Sequence, residues 1–77
     1  MGDLRDVFAF NLRRLRHGKD MSQEELADIA GINRTYVSKL ETGATYAGLE
    51  IIGKLADVFE IDAAELLKRP LKRGRPK

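Results

Sequence analysis

The segment at residues 23–42 reads QEELADIAGINRTYVSKLET, and three of its positions restrict how the chain can fold. Ala27, Gly31 and Val37 stand at places five, nine and fifteen of that segment. A small residue at place five lets a second helix cross nearby, and a glycine at place nine favours the left-handed backbone that ends a helix. Val37 would then point inward and hold the second helix on its scaffold. The spacing predicts a helix-turn-helix, two helices joined by a tight turn.

The second helix of such a pair is suited to lie in the major groove of DNA. Apolar residues fill the places around the three fixed positions: Leu26, Ala30, Ile32 and Leu40. The alternative interpretation is an amphipathic helical hairpin with no role in DNA binding. Since all three positions and their apolar companions match together, the pattern favours DNA binding.

Helical spacing and capping signals predict two helices in the first part of the chain. The first has apolar residues three or four places apart (Leu4, Phe8, Leu12 and Leu15), and should end near His17 and Gly18, with Gly18 as its cap. Ser22 and Glu25 form a capping box, so the second helix should begin at Gln23 and stop at Gly31.

Three further helices follow. Asn33 is a good N-cap for the third, which should end at Thr42 and Gly43. A loop at residues 43–48 leads to the fourth helix, whose inward residues should be Leu49, Ile52, Leu55, Ala56 and Phe59. Asp62 should cap a short fifth helix. Nothing indicates a strand, so the predicted fold is all-α: a compact five-helix, repressor-like DNA-binding domain with its helix-turn-helix at helices two and three.

Three runs of sequence resemble the Cro/repressor family of helix-turn-helix domains, also called the xenobiotic-response-element family. They are LRRLR at residues 12–16, MSQEELA at 21–27 and GINRTYVSKLE at 31–41. The similarity covers about residues 4–67, and the RTYVS run most resembles small phage-type repressors and the controller proteins of restriction–modification systems. The resemblance implies a sequence-specific transcriptional regulator, a repressor or controller that acts on double-stranded DNA.

The chain departs from this family before and within helix four. The family often has a proline and one or two basic residues in the preceding loop, where this chain has Thr45, Tyr46, Ala47 and Gly48. Gly53 stands in mid-helix where a leucine is usual, at a cost of about 1 kcal/mol relative to alanine. These differences bear on the loop's DNA contacts and the packing of helix four.

The first turn of a recognition helix reaches base edges, and here that turn offers Arg34 and Thr35, with Asn33 before them and Ser38 one turn on. Arg34 is the strongest candidate, because a guanidinium can bond O6 and N7 of one guanine together. The alternative for Arg34 is a phosphate or solvent contact, and for Thr35 and Ser38 it is plain helix surface.

Other residues are candidates for phosphate contacts. Gln23 opens helix two near the positive end of its dipole, although a surface glutamine beside a cap is the alternative. Tyr36 should lay its ring on the scaffold and direct its hydroxyl to a phosphate, unless it serves packing alone. Lys39, Thr42 and Thr45 are weaker candidates. The resemblance also implies a scaffold ion pair between Arg16 and Glu41.

Charge is divided unevenly along the chain. Up to residue 67 there are eight Lys or Arg against twelve Asp or Glu, a net charge of −4, whereas residues 68–77 carry +6. We therefore expect a DNA-binding domain at residues 1–68 and a basic, disordered tail at residues 69–77. Its Arg73, Gly74, Arg75 and Pro76 resemble the core of an AT-hook, which lies in the minor groove. A solvated tail that adds salt-sensitive affinity explains the charges equally well.

Little in the chain could support catalysis. It has one histidine, no cysteine and no glycine-rich phosphate loop, and His17 should interact with a helix end or solvent. We expect no enzyme activity, no cofactor, no metal site and no small-molecule ligand. No apolar run approaches the roughly 18 residues that span a bilayer, and the N-terminus lacks a signal-peptide core. We therefore expect no membrane contact and a cytoplasmic protein.

A domain this small should read half of a pseudo-palindromic operator, which favours a homodimer. Candidate interface residues are apolar ones that the core does not use: Tyr46, Ile51, Val58, Leu66 and Leu67. The alternative is that helix five and the N-terminal segment cover them within one chain. A second functional hypothesis is an antitoxin-like or scaffold module that binds a protein partner and DNA only secondarily.

Overall fold

The five helices predicted from the sequence are all present in the computed structural model, which describes residues 2–70. They are α1 (Leu4–Gly18), α2 (Gln23–Ala30), α3 (Arg34–Thr42), α4 (Leu49–Phe59) and α5 (Ala64–Leu67). No strand occurs in this part of the chain, so the all-α prediction is confirmed. None of these five helices is both long and apolar enough to cross a membrane.

Side-chain caps start both helices of the motif where the sequence predicts them. The hydroxyl of Ser22 accepts a hydrogen bond from the amide of Glu25 at 3.0 Å, and the Glu25 carboxylate accepts one from the Ser22 amide at 2.8 Å. At α3, the Asn33 side chain accepts a bond from the Thr35 amide at 2.7 Å. These bonds satisfy amides that lack a partner within the helix, so they fix where α2 and α3 begin.

Three helices have a C-cap residue with positive φ. Gly31 (φ 72°) caps α2 and Gly43 (φ 78°) caps α3, as predicted, and Glu60 (φ 57°) caps α4. Helix α1 is capped by Lys19 (φ −104°), which is followed by Asp20 (φ 53°). The prediction that Gly18 caps α1 is therefore wrong. Gly18 is the last helical residue, and the left-handed turn is made two places later by Asp20, a residue type that tolerates this region better than most.

The core lies around α1, which packs against α3 and α5, while α2 packs against α3 and α4. Every helix contributes buried apolar side chains: Phe8, Leu12, Leu26, Ala27, Ala30, Val37, Leu40, Ile52, Leu55, Ala56, Phe59 and Leu66. Ala27 and Val37, two of the three fixed positions of the motif, are both buried in this cluster. The motif is thus held by the same core that holds the rest of the domain.

Two predictions for the later helices are wrong. Leu49 is 86% exposed rather than inward, because side chains lean towards the N-terminus of a helix and the first residue of α4 therefore projects past its end. Ala47, just ahead, packs against the core instead. Asp62 does not cap α5 with its side chain, since α5 has no side-chain cap. Its main-chain oxygen accepts a bond from the Glu65 amide at 2.9 Å.

A buried asparagine joins α5 to α1, a link that the sequence analysis did not identify. Asn11 is 1% exposed, and its side-chain nitrogen donates to the main-chain oxygens of Leu66 and Lys68, both at 2.9 Å. The last carbonyls of a helix have no partner within that helix. Asn11 supplies this missing donor, and so anchors the short α5 against the middle of α1.

Candidate nucleic-acid interface

The two sides of α3 have different environments. Val37 and Leu40 are fully buried and Glu41 is 3% exposed. Arg34 and Thr35, in the first turn, are exposed. Since the buried side chains come one turn later than the exposed ones, the core holds the body of the helix and leaves its first turn facing solvent. This is the presentation that base reading in the major groove requires.

The other predicted contacts around this turn are accessible to different degrees. Asn33 is exposed, but its side-chain oxygen is engaged by the Thr35 amide. Ser38 is half-buried, whereas Lys39 and Thr42 are exposed. The Thr42 hydroxyl donates to the main-chain oxygen of Lys39 at 3.1 Å, so part of its hydrogen-bonding capacity is used within α3.

Tyr36 joins the recognition helix to the loop that follows it. Its ring packs against the core, as the sequence predicts. Its hydroxyl donates to the main-chain oxygen of Tyr46 at 3.3 Å, and its contact with a phosphate stays a prediction. The loop at residues 43–48 is thereby held beside the first turn of α3, and Thr45, a weaker phosphate candidate, is half-buried within it.

The ion pair implied by the resemblance is present, and further residues join it. The Arg16 guanidinium donates to both carboxylate oxygens of Glu41, from Nε at 2.6 Å and from Nη2 at 2.9 Å. Gln23 donates to Oε1 of Glu41 at 3.1 Å. Arg13, which the sequence analysis missed, donates to the main-chain oxygen of Glu41. Three side chains from α1 and α2 therefore converge on one residue of α3.

This network sets the charge state of its acid. Burial tends to raise the pKa of the Glu41 carboxyl, but the hydrogen bonds from Arg16 and Gln23 and the positive charge of Arg16 outweigh that effect. The net result is a pKa below the usual range for glutamate. The bond to Glu41 in turn raises the pKa of Arg16 above its usual value. Both pKa shifts favour the charged forms, and the charged pair joins α1 to α3.

A second contact missed by the sequence analysis lies at the edge of this surface. Cζ of Arg5, in the first turn of α1, is 4.6 Å from the centre of the Tyr46 ring, a distance typical of a cation–π contact. The Tyr46 side chain is otherwise exposed. Nothing in the sequence pairs two residues so far apart in the chain, although a basic residue and an aromatic one are the types that such a contact needs.

One predicted dimer residue is excluded. Leu66 is fully buried in the core, because α5 folds back onto α1 and turns this side chain inward. Ile51, Val58 and Leu67 are half-buried, and all three pack against the core with part of their surface left exposed. The predicted AT-hook residues Arg73, Gly74, Arg75 and Pro76 lie outside the described residues.

Comparison with known proteins agrees with this geometry. The family described as "Helix-turn-helix" matches residues 12–66. A hypothetical transcription factor of Neisseria meningitidis is 44% identical over 71 residues, which cover 92% of this chain and 67% of that protein. The control protein C.SmaI of Serratia marcescens is 33% identical, with coverage of 87% and 80%.

Solved structures give the same result. The crystal structure of a hypothetical transcription factor from Neisseria, 44% identical, matches with a TM-score of 0.85 over 88% of this chain and 78% of that one. The restriction–modification controller protein C.AhdI from Aeromonas hydrophila, 40% identical, matches with a TM-score of 0.77 and coverage of 80% and 94%. The resemblance stated from the sequence is therefore confirmed: the chain belongs to the helix-turn-helix family of the xenobiotic-response-element type, and it is a DNA-binding transcriptional regulator.

Proposed function

We propose that the chain binds as a homodimer to a pseudo-palindromic operator and acts there as a repressor or controller. Each subunit places the first turn of α3 in a major groove, where Arg34 reads a guanine and Thr35 and Ser38 contact neighbouring bases. The observation that carries this proposal is the division of α3 between buried residues and an exposed first turn. The likeness to the control protein C.SmaI and to the restriction–modification controller protein C.AhdI supports the regulatory role.

Contacts to the phosphate backbone would set the register of the helix in the groove. Gln23 opens α2 and braces Glu41 through its side-chain nitrogen, which leaves its amide oxygen and the start of α2 beside the recognition helix. Lys39 and Thr42 are exposed further along α3. In this proposal these three residues position the helix, and specificity comes from its first turn.

The dimer in this proposal forms through Ile51, Val58 and Leu67. A two-fold axis places two recognition helices on one face of the duplex, about one helical turn or 34 Å apart. The exposed part of these three side chains is small, so the contact area must also include their polar neighbours. We assign Tyr46 to the DNA-flanking loop instead, since its ring already contacts Arg5.

The first experiment is a selection from random duplexes with the purified protein. Its selected site is then used to compare wild type with Arg34→Ala by fluorescence anisotropy. We expect Arg34→Ala to lose about 1–3 kcal/mol of discrimination between the selected site and one with the guanine replaced. Arg14→Ala is the matched control, because Arg14 is exposed on α1 beside α5 and Pro70.

The outcomes are distinct. If Arg34→Ala discriminates between the two duplexes as well as wild type while both proteins melt alike, Arg34 does not read a base. If the wild type enriches no sequence at all, the operator proposal is wrong as a whole. A palindromic consensus with one spacing supports two-fold binding, and a consensus of a single half-site contradicts it.

A further inference from the structure

The loop between α3 and α4 has no positive charge of its own, although it lies beside the recognition helix. Residues 43–48 contain neither lysine nor arginine. The hydroxyl of Tyr36, in the first turn of α3, bonds the main chain of Tyr46 at 3.3 Å. When the first turn of α3 enters a major groove, the phosphate backbone of that duplex therefore comes close to this neutral loop. A cation at this edge has to come from another element.

Arg5 supplies that cation from the start of α1. Its guanidinium carbon is 4.6 Å from the centre of the Tyr46 ring. Tyr46 is also the residue whose main-chain oxygen bonds Tyr36 of α3, so Arg5 lies close to the recognition helix. The side chain of Arg5 is 36% exposed. An arginine stacked on an aromatic ring keeps a fixed plane and still presents its edge nitrogens, the arrangement with which arginine recognises phosphate.

The hydrogen bonds of Arg5 leave room for a further anion. Nη2 contacts the Asp3 carboxylate at 3.2 Å, and the Asp3 side chain is itself 56% exposed. Such a surface pair contributes about 0–1 kcal/mol, so it competes weakly with a phosphate. Nε of Arg5 is buried. Among the described residues it is the one buried side-chain nitrogen or oxygen that has no hydrogen-bond partner. The ring and one exposed ion pair thus hold the guanidinium.

We propose that Arg5, held on the ring of Tyr46, binds a backbone phosphate of the duplex next to the bases that the first turn of α3 contacts. The inference rests on the proposed function and adds a contact from an element outside the helix-turn-helix. Tyr46 acts as a positioning residue, since it orients the guanidinium. The competing explanation is that Arg5 and Tyr46 only fasten the loop to α1.

Salt dependence separates the two explanations, because a phosphate contact releases counterions and a structural fastening does not. Operator binding of wild type, Arg5→Gln and Arg5→Lys is measured from 50 to 300 mM salt (about the physiological range and either side of it). We expect Arg5→Gln to lower the slope of log K against log salt by about 0.9 for each subunit bound. At 0.1 M salt this corresponds to about an eightfold loss of affinity per subunit.

The remaining variants complete the test. Arg5→Lys should recover most of the slope, since it keeps the charge, and Arg14→Gln should keep the wild-type slope. Tyr46→Phe retains the ring and should bind as wild type, whereas Tyr46→Leu should resemble Arg5→Gln. Arg5→Gln lowering the melting temperature while leaving the salt slope unchanged would overturn the inference in favour of a fastening. The proposed function would survive that result, because it depends on Arg34 and on enrichment of an operator.

Discussion

Arg16 holds Glu41 by two parallel hydrogen bonds, with Nε to Oε2 at 2.6 Å and Nη2 to Oε1 at 2.9 Å. The pair joins α1 to the C-terminal half of α3, and Glu41 is almost fully buried. Geometry of this kind fixes the direction of a helix more surely than it adds stability, because burying two charges costs much of what their attraction returns. Removing one partner costs much more stability, because the charge of the other is then left without its counterion.

Glu41→Gln should therefore destabilise the domain strongly while leaving base preference unchanged. Breaking a buried pair typically costs 3–5 kcal/mol, and we expect about 3 kcal/mol here because Arg16 keeps some exposure. Urea unfolding gives the stability, and competition between operator variants gives the preference. Glu50→Gln is the control, since Glu50 pairs with Lys54 on the exposed side of α4 at 4.0 Å. Unchanged stability with altered preference would contradict the scaffold role.

The stabilisation by Glu41 should disappear in acid. Its pKa in the folded state is lowered, with burial opposing the shift and the bonds from Arg16 and Gln23 prevailing. A lowered pKa gives a contribution that is fully present above about pH 4.3, the ordinary glutamate value, and that is lost as the pH falls through the folded-state pKa. The stability difference between wild type and Glu41→Gln should shrink between pH 5 and pH 2, roughly the span over which such carboxylates titrate. A constant difference over that range would contradict it.

Asn11→Ala should release α5 from α1. The substitution removes both donors from the main-chain oxygens of Leu66 and Lys68. With about 1 kcal/mol for each bond and an added penalty for a buried carbonyl left without a partner, we expect a loss of about 2–3 kcal/mol. Hydrogen exchange should speed up first at residues 64–68. Asp57→Ala, at an exposed position of α4, is the control and should change little. An equal effect of both variants would argue against the anchor.

The same substitution at two glycines should have opposite effects. Gly53 lies in mid-helix, and an added Cβ there meets nothing within 4 Å. Gly53→Ala should stabilise the domain by about 1 kcal/mol, or a rise of roughly 4–8 °C in melting temperature. At Gly43 the φ of +78° is strained for alanine, and the Cβ would lie 3.0 Å from Oδ1 of Asp6. Gly43→Ala should lower the melting temperature, so shifts of the same sign would contradict this account.

Serine at Ile51 and Val58 should weaken the proposed dimer. Both side chains keep part of their surface exposed on α4, and self-association buries apolar surface. Sedimentation over a range of concentrations should show a dimer for the wild type and a shift towards monomer for the double variant. Ile29→Ser is the control, because Ile29 is 62% exposed on α2, outside the proposed contact. A wild type that stays monomeric at high micromolar concentration would exclude the homodimer.

Local signals made most of the fold predictable. The capping box at Ser22 and Glu25, the N-cap at Asn33 and the glycines that end α2 and α3 all act within one helical turn of their own position. The sequence alone therefore placed the boundaries of both motif helices correctly. The inward residues of α2 and α3 followed from the same helical period.

What could not be predicted depends on contacts between distant parts of the chain or on unusual backbone. Asp20 and Glu60 adopt positive φ, whereas glycine is the residue type from which this conformation is predicted. The hydrogen-bond partners of Asn11 lie at the end of α5, so the sequence of α1 does not predict them. The spacing of Leu66 cannot show that α5 folds back onto the core, so the sequence predicts an interface residue where the structure has a buried one. The contact of Arg5 with Tyr46 could not be predicted either, because the two residues lie far apart in the sequence.

The residues that hold α3 in the core and the residues of its first turn that we propose face DNA are separate sets. Val37 and Leu40 are buried, while Arg34 and Thr35 are exposed. Replacing the exposed pair thus leaves packing intact. A lineage carrying this fold could acquire a new operator by a few surface substitutions without losing its ability to fold, and a laboratory library could randomise the same positions for that purpose.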